Sequence, residues 1–279
     1  MPNTLRTILV HCSDEKGLIY KITRVLFENG LNIVKNKEFV DEANRRFFMR
    51  TEAEGIADQK VLQQSLASVL PPDSQIEIVS DRRKKLVVLA TKESHCLGDL
   101  LMRNHFNEWN AEICAVLSNY DRLKDFTGRF SIPYHHIGAE EISREEHEKL
   151  LVSAINSYTP DYIVLARYMR ILTPGFVQEF SGRIINIHHS FLPAFVGAHP
   201  YRQAYGRGVK IIGATAHFVN DQLDEGPIIC QNVIPVDHTQ NAAEMAKAGK
   251  EIEKQVLAQA LKLVLENRVM LSGNKTVIF

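Results

Sequence analysis

The chain is poor in the features that would place it outside the ordinary globular class. Its four cysteines, Cys12, Cys96, Cys114 and Cys230, include no C-x-x-C pair. In a chain of 279 residues that spacing makes no disulfide framework, and free thiols in a reducing compartment are expected. No window approaches the roughly 18 continuous apolar residues of a membrane helix. The first apolar run, residues 8–10, is too short for a signal peptide. The expected location is therefore the cytoplasm. Lys plus Arg and Asp plus Glu are 33 each, a formal net charge of zero, so nothing global draws the chain to nucleic acid or to an anionic membrane. No internal repeat or low-complexity segment interrupts it.

What is present is apolar material enough for a core, 45% hydrophobic residues against 24% charged. The length suits one large domain or two smaller ones. Residues 5–13 read as a strand, followed by the turn Asp14-Glu15-Lys16-Gly17. Leu18, Ile22, Val25 and Leu26 recur at helical spacing, and Gly30 stands where a helix ends. Strands are predicted over 33–40, 46–54 and 76–79, and a second helix carries Leu62, Leu66, Val69 and Leu70 before Pro71-Pro72 stops it. The order βαββαβ is the ferredoxin-like plan. Residues 81–85 are all charged and form the expected boundary between a domain over 1–81 and one over 86–279.

The second region opens with Leu86-Val87-Val88-Leu89-Ala90, the pattern of a strand buried on both faces of a parallel sheet. Further strands are expected over 115–117, 162–166, 184–187 and 209–214, with helical stretches between them, 141–158 for example, and a long helix over 242–267. The alternation predicts an open, mostly parallel α/β sheet.

Ligands bind beyond the carboxyl ends of strands in such sheets. One predicted strand runs into Asn186-Ile187-His188-His189-Ser190 and breaks at Pro193. Another runs to His217 and on into an acidic loop, Asn220-Asp221-Gln222-Leu223-Asp224-Glu225-Gly226. Asn186 and His188, two apart on extended chain, point the same way. An amide and an imidazole side by side can both donate to one developing oxyanion, as acyl transfer requires. A carboxylate such as Asp224 could orient the imidazole or handle a proton. The bland alternative is that Asn186 and His188 only satisfy loop backbone groups. A metal alternative would use His188, His189, His199, His217 and Asp224, but the spacings typical of zinc sites, H-E-x-x-H or Cys/His pairs, are absent, and no metal is expected.

These stretches resemble the folate-dependent formyltransferase fold. The residues that carry the likeness are Asn186-Ile187-His188, Ser190-Phe191-Leu192-Pro193, Thr215-Ala216-His217-Phe218-Val219 and Leu223-Asp224-Glu225-Gly226, together with Val164-Leu165-Ala166-Arg167-Tyr168-Met169-Arg170-Ile171-Leu172. The resemblance implies catalytic roles for Asn186, His188 and Asp224. It implies pterin contacts, largely through backbone, at Met169, Arg170 and Leu172 and along Val219, Asn220, Asp221, Leu223 and Asp224. His217 has two readings, a direct part in the substrate site or the shaping of its loop. Residues 5–80 resemble an ACT domain through Asp14-Glu15-Lys16-Gly17-Leu18, Ile22, Leu26 and Gly30-Leu31-Asn32-Ile33. ACT domains bind small amino acids and pair across subunits. That implies a homo-oligomer and an effector such as methionine or glycine near Asp14, Gly17, Asn29 and Asn32, or else a purely structural pairing module.

The two parts together resemble the formyltetrahydrofolate deformylase family. The expectation that follows is hydrolysis of 10-formyltetrahydrofolate to formate and tetrahydrofolate, feeding purine synthesis, with water as acceptor and no cofactor. The alternatives are transfer of the formyl group to an amine, or a folate binder without catalysis. A phosphorylated amine would need a phosphate cradle after the first strand of the domain, built from a helix N-terminus and glycines. Thr91-Lys92-Glu93-Ser94-His95-Cys96 has no glycine, and Glu93 would repel phosphate, although Lys92 would not. A transfer-RNA substrate would call for a basic appendage, and none is expected here.

Overall fold

The computed structural model describes residues 4–194 and 200–279, and the chain divides into two compact units between Arg82 and Arg83. The charged stretch expected to be linker alone is only partly so. Its last two residues, Lys84 and Lys85, already belong to a strand, with the Lys85 N–H donating to the Asp161 carboxylate at 2.7 Å. Charge hid the strand because its first residues sit at the sheet's rim.

The first unit contains β1 (Thr4–Ser13), α1 (Leu18–Glu28), β2 (Asn32–Asp41), β3 (Arg46–Gly55), α2 (Gln59–Val69) and β4 (Gln75–Ser80). Its antiparallel sheet has the order β2-β3-β1-β4. Ile8, Val10 and Cys12 of β1, and Phe47, Met49 and Ala53 of β3, bury one sheet face against Leu18, Ile22, Val25 and Leu26 of α1 and Leu62 and Leu66 of α2. Gly17 enters α1 at φ +85° and Gly30 leaves it at φ +72°, conformations that cost a side-chain-bearing residue strain. Asp58 caps α2 by accepting from the Lys60 and Val61 N–H groups.

The second unit contains β5 (Lys84–Ala90), α3 (His95–His105), β6 (Ala111–Ser118), α4 (Lys124–Gly128), β7 (Tyr134–His136), α5 (Arg144–Asn156), β8 (Tyr162–Ala166), α6 (Pro174–Glu179), β9 (Ile184–His188), α7 (Pro200–Arg207), β10 (Ile211–Phe218), β11 (Ile228–Pro235), α8 (Ala242–Leu265), β12 (Val269–Ser272) and β13 (Lys275–Ile278). The main sheet runs β11-β10-β9-β8-β5-β6-β7. Strands β7, β6, β5, β8 and β9 are parallel, while β10 runs antiparallel to both of its neighbours, β9 and β11.

Strand β5 shows why the unbroken apolar run was needed. Leu86, Val88 and Ala90 face Leu97, Leu100, Val256, Leu257 and Leu261 of α3 and α8. Val87 and Leu89 face Leu151, Ile155, Phe176 and Phe180 of α5 and α6 on the other side. Capping boxes start α5 at Ser143 and α8 at Asn241. The strand expected over 209–214 is displaced to 211–218, because backbone pairing with β9 carries it through the polar residues Thr215 and His217. A hairpin, β12–β13, follows the long helix and was not expected. Its Asn274 Nδ2 donates to the Glu225 carbonyl at 2.8 Å and so holds the acidic loop. Among the described residues no helix is long and apolar enough to cross a membrane.

Gly226 closes that loop where the backbone doubles back on β10. A Cβ at this position would lie 1.8 Å from the Phe218 carbonyl oxygen. Gly226→Ala should therefore force the loop away from the strand, at about 1–3 kcal/mol of stability. A lower melting temperature, with activity lost more steeply than fold, is the expected result.

Candidate active site

The carboxyl ends of β5, β8 and β9 lie side by side, and β10 returns against β9. The register pairs Leu165 with Asn186 across β8 and β9, and His217 with Asn186 and Thr215 with His188 across β9 and β10. Past Phe218 the chain turns, with the Val219 N–H bonded to the Ile184 carbonyl at 2.9 Å and the Phe218 N–H to the Pro227 carbonyl at 2.9 Å. Asp224 sits in this loop at φ +59°. A left-handed aspartate carries modest strain, tolerated where the surrounding bonds over-determine it.

The three residues marked from sequence come together. His188, 4% exposed, places Nδ1 3.2 Å from Asp224 Oδ1. With the carboxylate accepting at Nδ1, only the imidazolium form can also donate from Nε2. That Nε2 is buried and has no hydrogen-bond partner among the described residues. A buried polar atom left unpaired costs roughly 1–3 kcal/mol unless something arrives to pair it.

Asn186 is held by His217. His217 Nδ1 lies 2.8 Å from the Phe218 carbonyl, which can only accept, so Nδ1 carries the proton. Nε2 is then an acceptor, 3.2 Å from Asn186 Nδ2. Burial lowers the His217 pKa below 6.5, outweighing the Phe218 carbonyl and Asp224, and keeps the ring neutral. One N–H of the Asn186 amide is thus committed and the amide cannot flip. For Asp224, burial pushes the pKa up, but the hydrogen bond and the charge of His188 pull it down and the net shift is down.

A cavity of about 360 Å³ opens over this group. Its lining includes Asn186, His188 and Asp224, and also Met169, Arg170, Leu172, His217, Val219, Asn220, Asp221 and Leu223, all the substrate-contact residues marked from sequence. Arg167, Tyr168, His189 and Gln222 line it too.

The four residues marked for an effector lie in the first unit and do not gather in one place. Asp14 and Gly17 stand before α1, and Asn29 and Asn32 after it, separated by 11 helical residues or about 16 Å. Asn29 Nδ2 donates to the Val25 carbonyl at 2.8 Å and Asn32 Nδ2 to Glu54 at 3.2 Å.

A second polar group was missed. Glu253 of α8 is 1% exposed and accepts from Tyr201 Oη at 2.7 Å and pairs with His95 Nε2 at 2.7 Å, with Arg167 Nε at 3.4 Å. A signal existed: Glu253 falls beside the apolar stripe of Gly249, Ile252, Val256 and Leu257, where a solvated carboxylate has no place. His95, Cys96 and Glu253 lie close enough to be ligands of one cation. Arg167 already supplies a positive charge there, so the group fits a closed salt-bridge network better than a metal site. Of the histidines considered for a metal from sequence, His217 has both nitrogens committed and His199 lies outside the described residues. In the loop after β5, Glu93 pairs with Lys250 at 2.6 Å and Lys92 lies 4.2 Å over the Tyr120 ring.

Four histidines have lowered pKa values, His11, His147, His189 and His217, each with burial as the largest cause. They stay neutral when folded and take up protons near pH 6.5 when unfolded. Stability is therefore fully present above 6.5 and is lost as pH falls below it. The lowered carboxylates Asp224 and Glu253 act the same way at more acid pH. A melting temperature that drops steadily between about pH 7.5 and about pH 5 is expected, and a flat profile would refute the neutral assignment.

The chain was compared with known proteins. A family model described as formyl transferase matches residues 84–261, and one described as ACT domain matches residues 6–70. The formyltetrahydrofolate deformylase of Haemophilus influenzae is 54% identical over 273 residues, 98% of each chain. The crystal structure of a formyltetrahydrofolate deformylase from Pseudomonas syringae superposes with a TM-score of 0.94 at 37% identity, covering all of this chain and 95% of that one. A glycinamide ribonucleotide transformylase structure from Symbiobacterium toebii covers 71% of this chain and 94% of its own, at 28% identity and a TM-score of 0.66. Similar over its whole length to proteins of one kind, this chain of an ACT domain followed by a formyl transferase domain belongs to the formyltetrahydrofolate deformylase family.

Proposed function

We propose that the chain hydrolyses 10-formyltetrahydrofolate to formate and tetrahydrofolate, with Asn186, His188 and Asp224 as its catalytic residues. The observation that carries this is the partnerless buried Nε2 of His188, which shares a cavity with the oriented amide of Asn186. Two such donors on one cavity suit the tetrahedral oxyanion formed when water attacks a formyl carbon. Asp224 keeps the His188 imidazolium in place and relays a proton toward the leaving folate nitrogen. His217 acts on substrate through Asn186, whose free N–H it aims at the oxyanion. Met169, Arg170 and Leu172, with the loop of Val219, Asn220, Asp221 and Leu223, line the space for the pterin.

Water rather than an amine is favoured by the loop after β5. Its charges are spent inside the protein, Glu93 on Lys250, Lys92 on Tyr120 and His95 on Glu253, which leaves little to hold a phosphorylated acceptor. The reaction needs no cofactor, since the folate is itself substrate and the protein supplies the charge. The proposed setting is the cytoplasm, with formate passing to purine synthesis. The ACT domain is proposed to cover residues 1–81, to pair across a homo-oligomer and to take a small amino acid such as methionine or glycine at one end of α1, near Asp14 and Gly17 or near Asn29 and Asn32. No nucleic acid or membrane partner enters the scheme.

Formate release from 10-formyltetrahydrofolate, measured with and without glycinamide ribonucleotide, tests the reading. The same formate yield in both is expected, and formylated ribonucleotide in its place would establish transfer. Asn186→Ala should lower kcat by roughly 10²–10³. Asp224→Asn, which keeps the shape and loses the charge, should fall at least as far, and parent-level turnover would remove Asp224 from the mechanism.

A further inference from the structure

His189 follows directly on His188 and is 8% exposed. Among the described residues its ring nitrogens have no hydrogen-bond partner. Its near neighbours are rings, His188 with centroids 5.1 Å apart and Tyr201 at 6.1 Å. Buried imidazoles ordinarily satisfy their nitrogens, as His217 does. His189 instead lines the cavity that holds Asn186 and His188. Such a ring is free to bind a small hydrogen-bonding molecule inside the cavity.

Its charge state fits that use. Burial, the Arg167 guanidinium and His188 bring its pKa down to about 3, against the opposing pull of Glu253 and Asp224. The ring is therefore neutral at physiological pH and ready to accept. Of the other groups at the centre, Asp224 Oδ1 is committed to His188 and one N–H of the Asn186 amide to His217.

We propose that His189 is a further catalytic residue, the base that holds the attacking water and takes its proton. The inference rests on the hydrolytic reading above. Water's oxygen forms the new bond to the formyl carbon as one of its protons passes to the His189 ring. The oxyanion builds up between Asn186 and His188, and its negative charge raises the proton affinity of His189 at the moment of transfer. The tetrahedral adduct then collapses. The C–N electron pair leaves with the folate nitrogen, which takes a proton delivered through His188. His189 returns its proton to His188, directly or through water, and the formic acid product ionises to formate. The net change is one water consumed and one proton released with formate.

The test compares His189→Gln and His189→Ala with the parent protein in the formate-release assay, after circular dichroism and melting have checked the fold. Glutamine can still hold a water but cannot take its proton. Both variants should lose roughly 10²–10⁴-fold in kcat while KM stays near the parent's, and added imidazole should restore part of the His189→Ala rate in proportion to its free-base concentration. Parent-like kcat in His189→Gln would overturn the proposal, as would a loss confined to KM or a His189→Ala deficit that imidazole leaves untouched. If the parent itself releases no formate, the hydrolytic reading fails instead, and the two failures are distinguishable in one experiment.

Discussion

Strand β10 runs against β9 in the opposite sense to the rest of the parallel sheet, and the chemistry of the cleft depends on that pairing. The register sets His217 across from Asn186, so a neutral imidazole fixes an amide. The same strand delivers the chain into the loop that carries Asp224 to His188. Gly226 and Asn274 then hold the loop against β10 and the terminal hairpin. A parallel strand in the place of β10 would send its carboxyl end elsewhere and leave His188 without a carboxylate.

Charge around the cleft is arranged in two layers. Near the cavity stand His188, Asp224 and two neutral histidines, one locked by hydrogen bonds and one without them. Behind them Glu253 gathers Arg167, His95 and Tyr201 into a buried network. Glu253 is anionic and Arg167 cationic, so each offsets the desolvation of the other, as buried ions require. The guanidinium helps keep His189 neutral.

Much of this was legible before any coordinates. Alternating and unbroken apolar runs mark β1, β5, β8 and β9, because a strand's burial is written in its own residues. The Asn-x-His pattern at the end of β9 points at one face for the same local reason. The elements that escaped are those whose pairing is set elsewhere. Strand β11 is half exposed and exists because β10 offers it an edge. The hairpin β12–β13 is short, and Glu253 shows only as a carboxylate beside an apolar stripe until Arg167, 86 residues earlier in the chain (253 − 167), is brought beside it by the fold. The shift of the predicted strand from 209–214 to Ile211–Phe218 has the same origin, since apolarity ends where backbone pairing does not.

The amino-acid sequence by itself determined the fold class, the order of elements in the first unit, and the pair Asn186 and His188, because periodicity and local residue types are properties of short segments, while the resemblance to a known family added Asp224. Only the tertiary structure decided which nitrogen of His217 carries a proton, that His188 Nε2 is buried and, like the His189 ring, has no hydrogen-bond partner among the described residues, and that the charged loop after β5 is spent on its neighbours. Those outcomes depend on distances between residues far apart in the chain and on the exclusion of water around them, and neither quantity exists until the strands have paired and the helices have closed over the sheet.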